Sequence, residues 1–213
     1  LSNVWMTETD KGLTPDYNNV DISGNGRGVV LRSQITKDPS VDMEGIDYVV
    51  WLTRRETIVP PMAILPPTQA AGLFLLGESV ITAAADPTRA GQSVREAGFS
   101  PFIVGNVAQE ANLLREIFET FPEIKVVLLN TGRVGAQYGE NARPGVKIDV
   151  PDSAALLTAL FKDQVMTVRD SDWGYDVVSE IPGYDISALD PNRHYASDEK
   201  AAMTLQLRGD RNK

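Results

Sequence analysis

Val126-Val127-Leu128-Leu129 is an unbroken apolar run that ends in Asn130-Thr131-Gly132. A strand with one wet face alternates apolar and polar residues; a strand covered on both faces does not. The run is therefore expected at Ile124–Asn130 as a buried strand of an open α/β sheet, and the loop after it stands where such sheets bind ligands. That loop is glycine-rich and basic, and the chain turns apolar again only at Val146.

The rest of the chain supplies the layers such a strand needs. Val29–Ile35 reads as a short strand and Asp47–Thr53 as a stronger one, β-branched and aromatic. Four prolines at 60, 61, 66 and 67 argue against regular helix or central strand between Ile58 and Pro67. Pro67 suits a helix start, and Thr68–Ala84 reads as a buried helix because it is apolar nearly all round. Asp86–Gly105 is loop-rich. Val107–Phe121 is amphipathic, with Ala111, Leu114, Ile117 and Phe118 on one face. Val146–Val150 and Val165–Val168 read as short strands. Pro151–Lys162 reads as a helix with Asp152 in its first turn, and Ser197–Leu207 as one capped by Ser197. Strands alternating with helices give the class α/β, a mixed sheet with flanking helices.

Composition removes several functions. The formal net charge of −9 argues against a general nucleic-acid binder, while leaving room for a nucleotide in a locally basic cleft. The absence of cysteine excludes disulfides, zinc-thiolate sites and cysteine nucleophiles, and the lone His194 argues against a histidine metal cage or triad. No apolar run reaches the roughly 18 residues of a membrane span, so no membrane partner and a cytoplasmic location are expected. The first 28 residues read as a loop-rich leading segment before a body at 29–213, as in a piece of a longer protein.

Motifs are sparse. There is no GxxxxGKS/T phosphate loop, HExxH, GxSxG or CxxC. Gly24-Asn25-Gly26-Arg27-Gly28 lacks dinucleotide-fingerprint spacing, but it holds Arg27, whose guanidinium fork suits phosphate. Arg54-Arg55-Glu56 is either a solvated strand end or an anion clamp. Asn130-Thr131-Gly132 is either a capping turn or a ligand loop. Lys147 and Ser153 flank a helix start. His194, in a polar loop, is read as structural.

The order of these stretches resembles the C-terminal part of ATP-dependent phosphoenolpyruvate carboxykinase. The likeness runs through Leu52-Thr53, Ile58-Val59-Pro60-Pro61, Leu65-Pro66-Pro67-Thr68-Gln69-Ala70 and Phe74-Leu75-Leu76-Gly77. It continues through Gly98-Phe99-Ser100-Pro101-Phe102, Leu128-Leu129-Asn130-Thr131-Gly132-Arg133, Val178–Tyr184 and Leu189-Asp190-Pro191 with Tyr195. The resemblance implies part of a mononucleotide-binding domain. It makes Arg27 the candidate catalytic contact to the transferred phosphoryl group. It makes Lys147 and Ser153 candidates for walling the adenine, with Asn130, Thr131 and Gly132 at the root of that loop.

In the full-length parent the implied reaction converts oxaloacetate to phosphoenolpyruvate and CO₂, using ATP and a divalent metal, Mg or Mn. The implied partners are a nucleotide, a small carboxylate substrate and the remainder of the parent chain. The family's phosphate loop and metal ligands would lie outside this sequence, so no metal ligand is assigned and the chain alone is expected to be inactive. The sequence departs from the family pattern at Arg133 (a tryptophan there), Ala154 (an arginine) and Arg55-Glu56-Thr57-Ile58 (Asp-Ala-Phe-Gly). A second expectation is therefore a non-catalytic nucleotide-binding or regulatory module on the same fold.

Overall fold

The apolar run becomes strand β7 (Lys125–Asn130), and its two-sided burial sets the architecture. The computed structural model describes residues 2–23, 26–37, 42, 45–80, 88, 93–96, 98, 103–138 and 142–212. They divide into two compact units, Leu1–Ile46 with Val80–Val94, and Asp47–Ser79 with Arg95–Lys213.

In the first unit, β1 (Trp5–Thr9) and β2 (Gly12–Asp16) form an antiparallel hairpin, with Trp5 opposite Asp16 and Thr9 opposite Gly12. The segment expected as loop thus carries regular structure. Gly12, at φ 94°, permits the left-handed turn that a β-branched residue would resist. Two short helices follow, α1 (Val20–Ser23) and α2 (Arg32–Ile35). The strand expected at Val29–Ile35 does not form. Val29 and Leu31 remain exposed, and with no partner strand a β-branched run gains nothing from extension.

In the second unit, β3 (Tyr48–Thr53), β4 (Met62–Leu65), β7 (Lys125–Asn130), β10 (Met166–Arg169) and β11 (Asp176–Glu180) form one mixed sheet in the order β10-β11-β4-β7-β3. Short strands β5 (Glu78–Val80), β6 (Ser93–Arg95), β8 (Arg133–Val134) and β9 (Val146–Lys147) lie outside it. β3 runs parallel to β7, with Tyr48 opposite Lys125 and Thr53 opposite Asn130. β4 runs antiparallel to β7, with Met62 opposite Leu129.

β4 corrects the proline argument. The four prolines flank Met62–Leu65 but do not enter it, so every ladder donor within the strand survives. β11, between β10 and β4, has no counterpart among the expected strands.

The mixed α/β sheet with flanking helices is as expected. Val127 and Leu129 face one cluster with Met62 and with Leu156, Ala159 and Leu160 of α5 (Val150–Phe161). Val126 and Leu128 face the other, with Ala70 and Leu73 of α3 (Pro67–Leu76) and Phe118 of α4 (Val107–Thr120). Period-2 alternation therefore serves two apolar layers.

α3 stops well before Ala84 because Gly77 adopts the left-handed conformation and its N–H closes on Leu73 O. Residues 81–84 lie outside the described set. On α4, Ala111 and Phe118 are buried, and Leu114 and Ile117 pack half-buried on the same cluster, as the amphipathic pattern requires. α6 (Ser197–Arg211) runs a turn longer than expected and begins after Ala196, whose N–H donates to Glu199 Oε2 at 3.0 Å. No helix among the described residues is long and apolar enough to cross a membrane.

Candidate functional site

The loop after β7 is built as a zipper. Asn130 N–H donates to Pro61 O, Thr131 to Thr53 O, Arg133 to Arg55 O, Ala136 to Glu56 O and Gly135 to Thr57 O, all within 2.8–3.0 Å. Segment 130–136 is thereby laid along segment 53–61. The loop then doubles back. β8 pairs with β9, Arg133 opposite Lys147, and Gln137 bridges Arg143. Arg133 staples the two legs by donating from Nη1 to Pro144 O at 3.4 Å and Gly145 O at 3.3 Å.

Asn130 is the root of this ribbon. It is fully buried. Its Oδ1 accepts from Arg55 N–H at 2.9 Å and Gly132 N–H at 3.0 Å. Its Nδ2 donates to Val59 O at 3.1 Å and Arg133 O at 3.4 Å. Every hydrogen-bonding atom of the amide thus holds backbone, and Asn130 acts by positioning the loop. Thr131 is exposed and donates from Oγ1 to Thr53 O at 3.3 Å. Gly132 is buried, and a Cβ there would stand 2.3 Å from Arg55 O, so the close approach of the two segments needs glycine.

The far leg carries the other candidates. Lys147 is exposed and paired with Asp149 at 2.6 Å, an ion pair worth little in water. Asp152 Oδ2 accepts from Asp149 N–H at 2.7 Å, which fixes the start of α5. Ser153 is half-buried in that first turn, and its N–H donates to Asp149 O. Lys147 and Ser153 therefore flank one capped helix start on the returning leg. Arg27 belongs to the first unit; it is exposed there, and its backbone forms an isolated bridge with Ser2. Asn25 lies outside the described residues.

Further side chains support the ribbon, Arg143 and Tyr138 among them unmarked in the sequence. Arg143 donates from Nε to Gly135 O at 3.0 Å and lies over the Tyr195 ring at 5.3 Å. Tyr195 OH donates to Ala136 O at 2.5 Å. Tyr138 OH donates to Glu56, and that hydrogen bond, with burial second, raises the phenol to about 12, so it stays neutral at ordinary pH. His194 has its Nε2 2.7 Å from Ala188 O and its ring packed against Gly135, a structural place as expected. Gly135 has φ 79°, and a Cβ there would meet His194 Cγ at 2.4 Å. Gly135→Ala is expected to destabilise the chain by about 2–4 kcal/mol, combining backbone strain with overpacking. A urea midpoint unchanged from wild type would show that the ribbon tolerates a side chain there.

Arg55 is not available as an anion clamp. Its guanidinium pairs at 2.6 Å with Glu78, a carboxylate only 1% exposed, which Arg211 of α6 also grips at 2.8 Å. Arg211 lies 4.8 Å from the Trp173 ring centre, which seats the end of α6.

A sequence profile of the phosphoenolpyruvate carboxykinase family matches residues 1–187. The chain belongs to that family. Curated relatives named phosphoenolpyruvate carboxykinase (ATP) include one from Parvibaculum lavamentivorans, 31% identical over 97% of this chain and 38% of its own length. Another, from Aeropyrum pernix, is 29% identical over 93% of this chain and 38% of its own length. A third, from Mesorhizobium japonicum, is 34% identical over 70% of this chain and 29% of its own length. The chain thus spans between 29% and 38% of the length of these carboxykinases. In this carboxykinase-family chain Lys147 stands on the returning leg of the zippered ribbon and Ser153 in the first turn of the helix that follows it.

Proposed function

We propose that this chain is the C-terminal part of the nucleotide-binding domain of a cytoplasmic carboxykinase-like protein, with residues 29–213 as the body. In the full-length parent the reaction is ATP-dependent conversion of oxaloacetate to phosphoenolpyruvate and CO₂. The observation that carries this reading is the ribbon after β7. A buried strand ends in an Asn-anchored loop that folds back to present Lys147 and Ser153 at a helix start.

ATP supplies the phosphoryl group. Lys147 and Ser153 border its base, Asn130 and Gly132 hold their loop in register, and Arg27 neutralises charge on the transferring group. The residues fit the nucleotide as one wall: the sequence has a basic, hydroxyl-bearing edge but no phosphate cradle. They do not fit the divalent metal, because no group of three or more acidic or histidine side chains is gathered for it among the described residues.

On this reading the chain alone is inactive. Titration calorimetry of the isolated chain with ATP and magnesium is expected to give weak or no binding, and a submicromolar Kd would overturn this reading. In the full-length parent, Arg27→Ala is expected to lower kcat by roughly 10²–10³-fold. The alternative, a non-catalytic regulatory module, draws on Arg133 and Arg55, both engaged in holding structure where the family pattern differs. It predicts no phosphoryl transfer by the parent and no effect of Arg27→Ala.

A further inference from the structure

A cleft of about 330 Å³ in the second unit is lined by none of the nucleotide-wall candidates. Its apolar side is Ile58, Pro60, Pro61, Val178, Ile186 and Leu189, all buried. Pro61 lies beside the end of β7, since its carbonyl accepts from Asn130 N–H, so the cleft opens at the carboxyl end of that strand. The volume is at the lower end of ligand sites and suits a small molecule.

The polar side carries both signs. Lys200 reaches in from α6 and is 20% exposed, with Nζ 3.9 Å from Asp170 Oδ2 and 3.6 Å from Asp172 Oδ2. Arg169 is tied to Asp176 at 3.2 Å. Asp190 Oδ1 accepts from the backbone and side-chain amides of Asn192, both at 2.9 Å. Arg193, three residues on, forms no side-chain hydrogen bond or ion pair among the described residues, although Asp185 feels its field. A ligand carrying only negative charge would meet Asp170 and Asp190, and one carrying only positive charge would meet Arg193, Arg169 and Lys200. A zwitterion with an apolar body satisfies all three surfaces.

We propose that this cleft binds a free aliphatic α-amino acid. Its carboxylate takes the guanidinium fork of Arg193, its ammonium faces the carboxylate of Asp190, and its side chain lies on Pro60, Pro61 and Ile186.

The test is an amide chemical-shift titration of the isolated chain with L-leucine, with 4-methylpentanoate and 3-methylbutylamine as analogues lacking one charge each. L-leucine is expected to shift the amides of Ser171, Ser187 and Arg193 with a saturating, millimolar Kd, and each analogue to bind roughly tenfold more weakly, the loss of one charge-assisted contact. Arg193→Gln and Asp190→Asn, which keep side-chain shape and the turn's acceptor, are each expected to weaken leucine by a similar factor. Absence of shifts at these amides would overturn the proposal. So would an analogue that binds as well as leucine, or undiminished binding by both variants. ATP binding is untouched by any of these outcomes, so this site and the nucleotide wall succeed or fail separately.

Discussion

Glu78→Gln is expected to destabilise the chain by about 3–5 kcal/mol, the cost of breaking a buried ion pair from one side. Glutamine keeps the shape but removes the charge that holds Arg55 and Arg211 together, leaving two guanidiniums, 24% and 13% exposed, facing a neutral amide. Burial alone would raise the Glu78 carboxyl. The hydrogen bonds and charge of Arg211, and then those of Arg55, hold it instead at about 2, against an ordinary 4.5.

Because the folded value is depressed, the contribution is complete above pH 4.5 and disappears as pH falls from 4.5 through about 2. The difference corresponds to about 3 kcal/mol. Urea unfolding of wild type and Glu78→Gln across this range should converge in acid; parallel curves would show that the carboxylate is not what α6 depends on. Replacing Arg55, Glu78 and Arg211 together by apolar residues of similar volume is expected to restore most of the loss, since each partner's desolvation cost goes with it.

Asn130→Ala is expected to cost about 3–6 kcal/mol. It strips the acceptor from two N–H groups, those of Arg55 and Gly132, and the donor from two carbonyls. Each group left unpaired in a buried place costs roughly 1–3 kcal/mol. Asn130→Asp tests the donors separately, because it preserves Oδ1 but forfeits Nδ2 and places a carboxylate at a fully buried position. A loss below about 1 kcal/mol for Asn130→Ala would mean that water replaces the amide and that the zipper stands without it. Amide hydrogen exchange gives the local reading: 131–136 should lose protection before β7 itself does.

The layers of the second unit were legible because their signal is local. Val126–Leu129 announces burial on both faces, Ala111, Leu114, Ile117 and Phe118 recur at helical spacing, and Pro67 marks a helix start. β4 was obscured because prolines at 60, 61, 66 and 67 bear on the flanks, while the four residues between them obey strand rules. β11 begins at Asp176 and ends at Glu180, so its charged ends hid a strand that pairing completes. Val29–Ile35 shows the converse, a β-prone run with nothing to pair with.

At the site, the Asn-Thr-Gly loop could be located but the occupation of its amide could not, because three of the four backbone groups come from segments 71 to 75 positions away or from beyond the turn. The Glu78 cluster was invisible for the same reason: its partners lie 23 and 133 positions off.

The zipper between 130–136 and 53–61 is made almost entirely of main-chain rungs, and a main-chain rung reads no side chain. Substitutions along either rail can accumulate without moving the loop, provided Asn130 and the close glycines persist. Arg55-Glu56-Thr57-Ile58 lie on one rail and Arg133 on the other, and the backbone rungs between them do not depend on those side chains. Such an arrangement lets evolution rewrite what a pocket recognises while leaving untouched the frame that presents it.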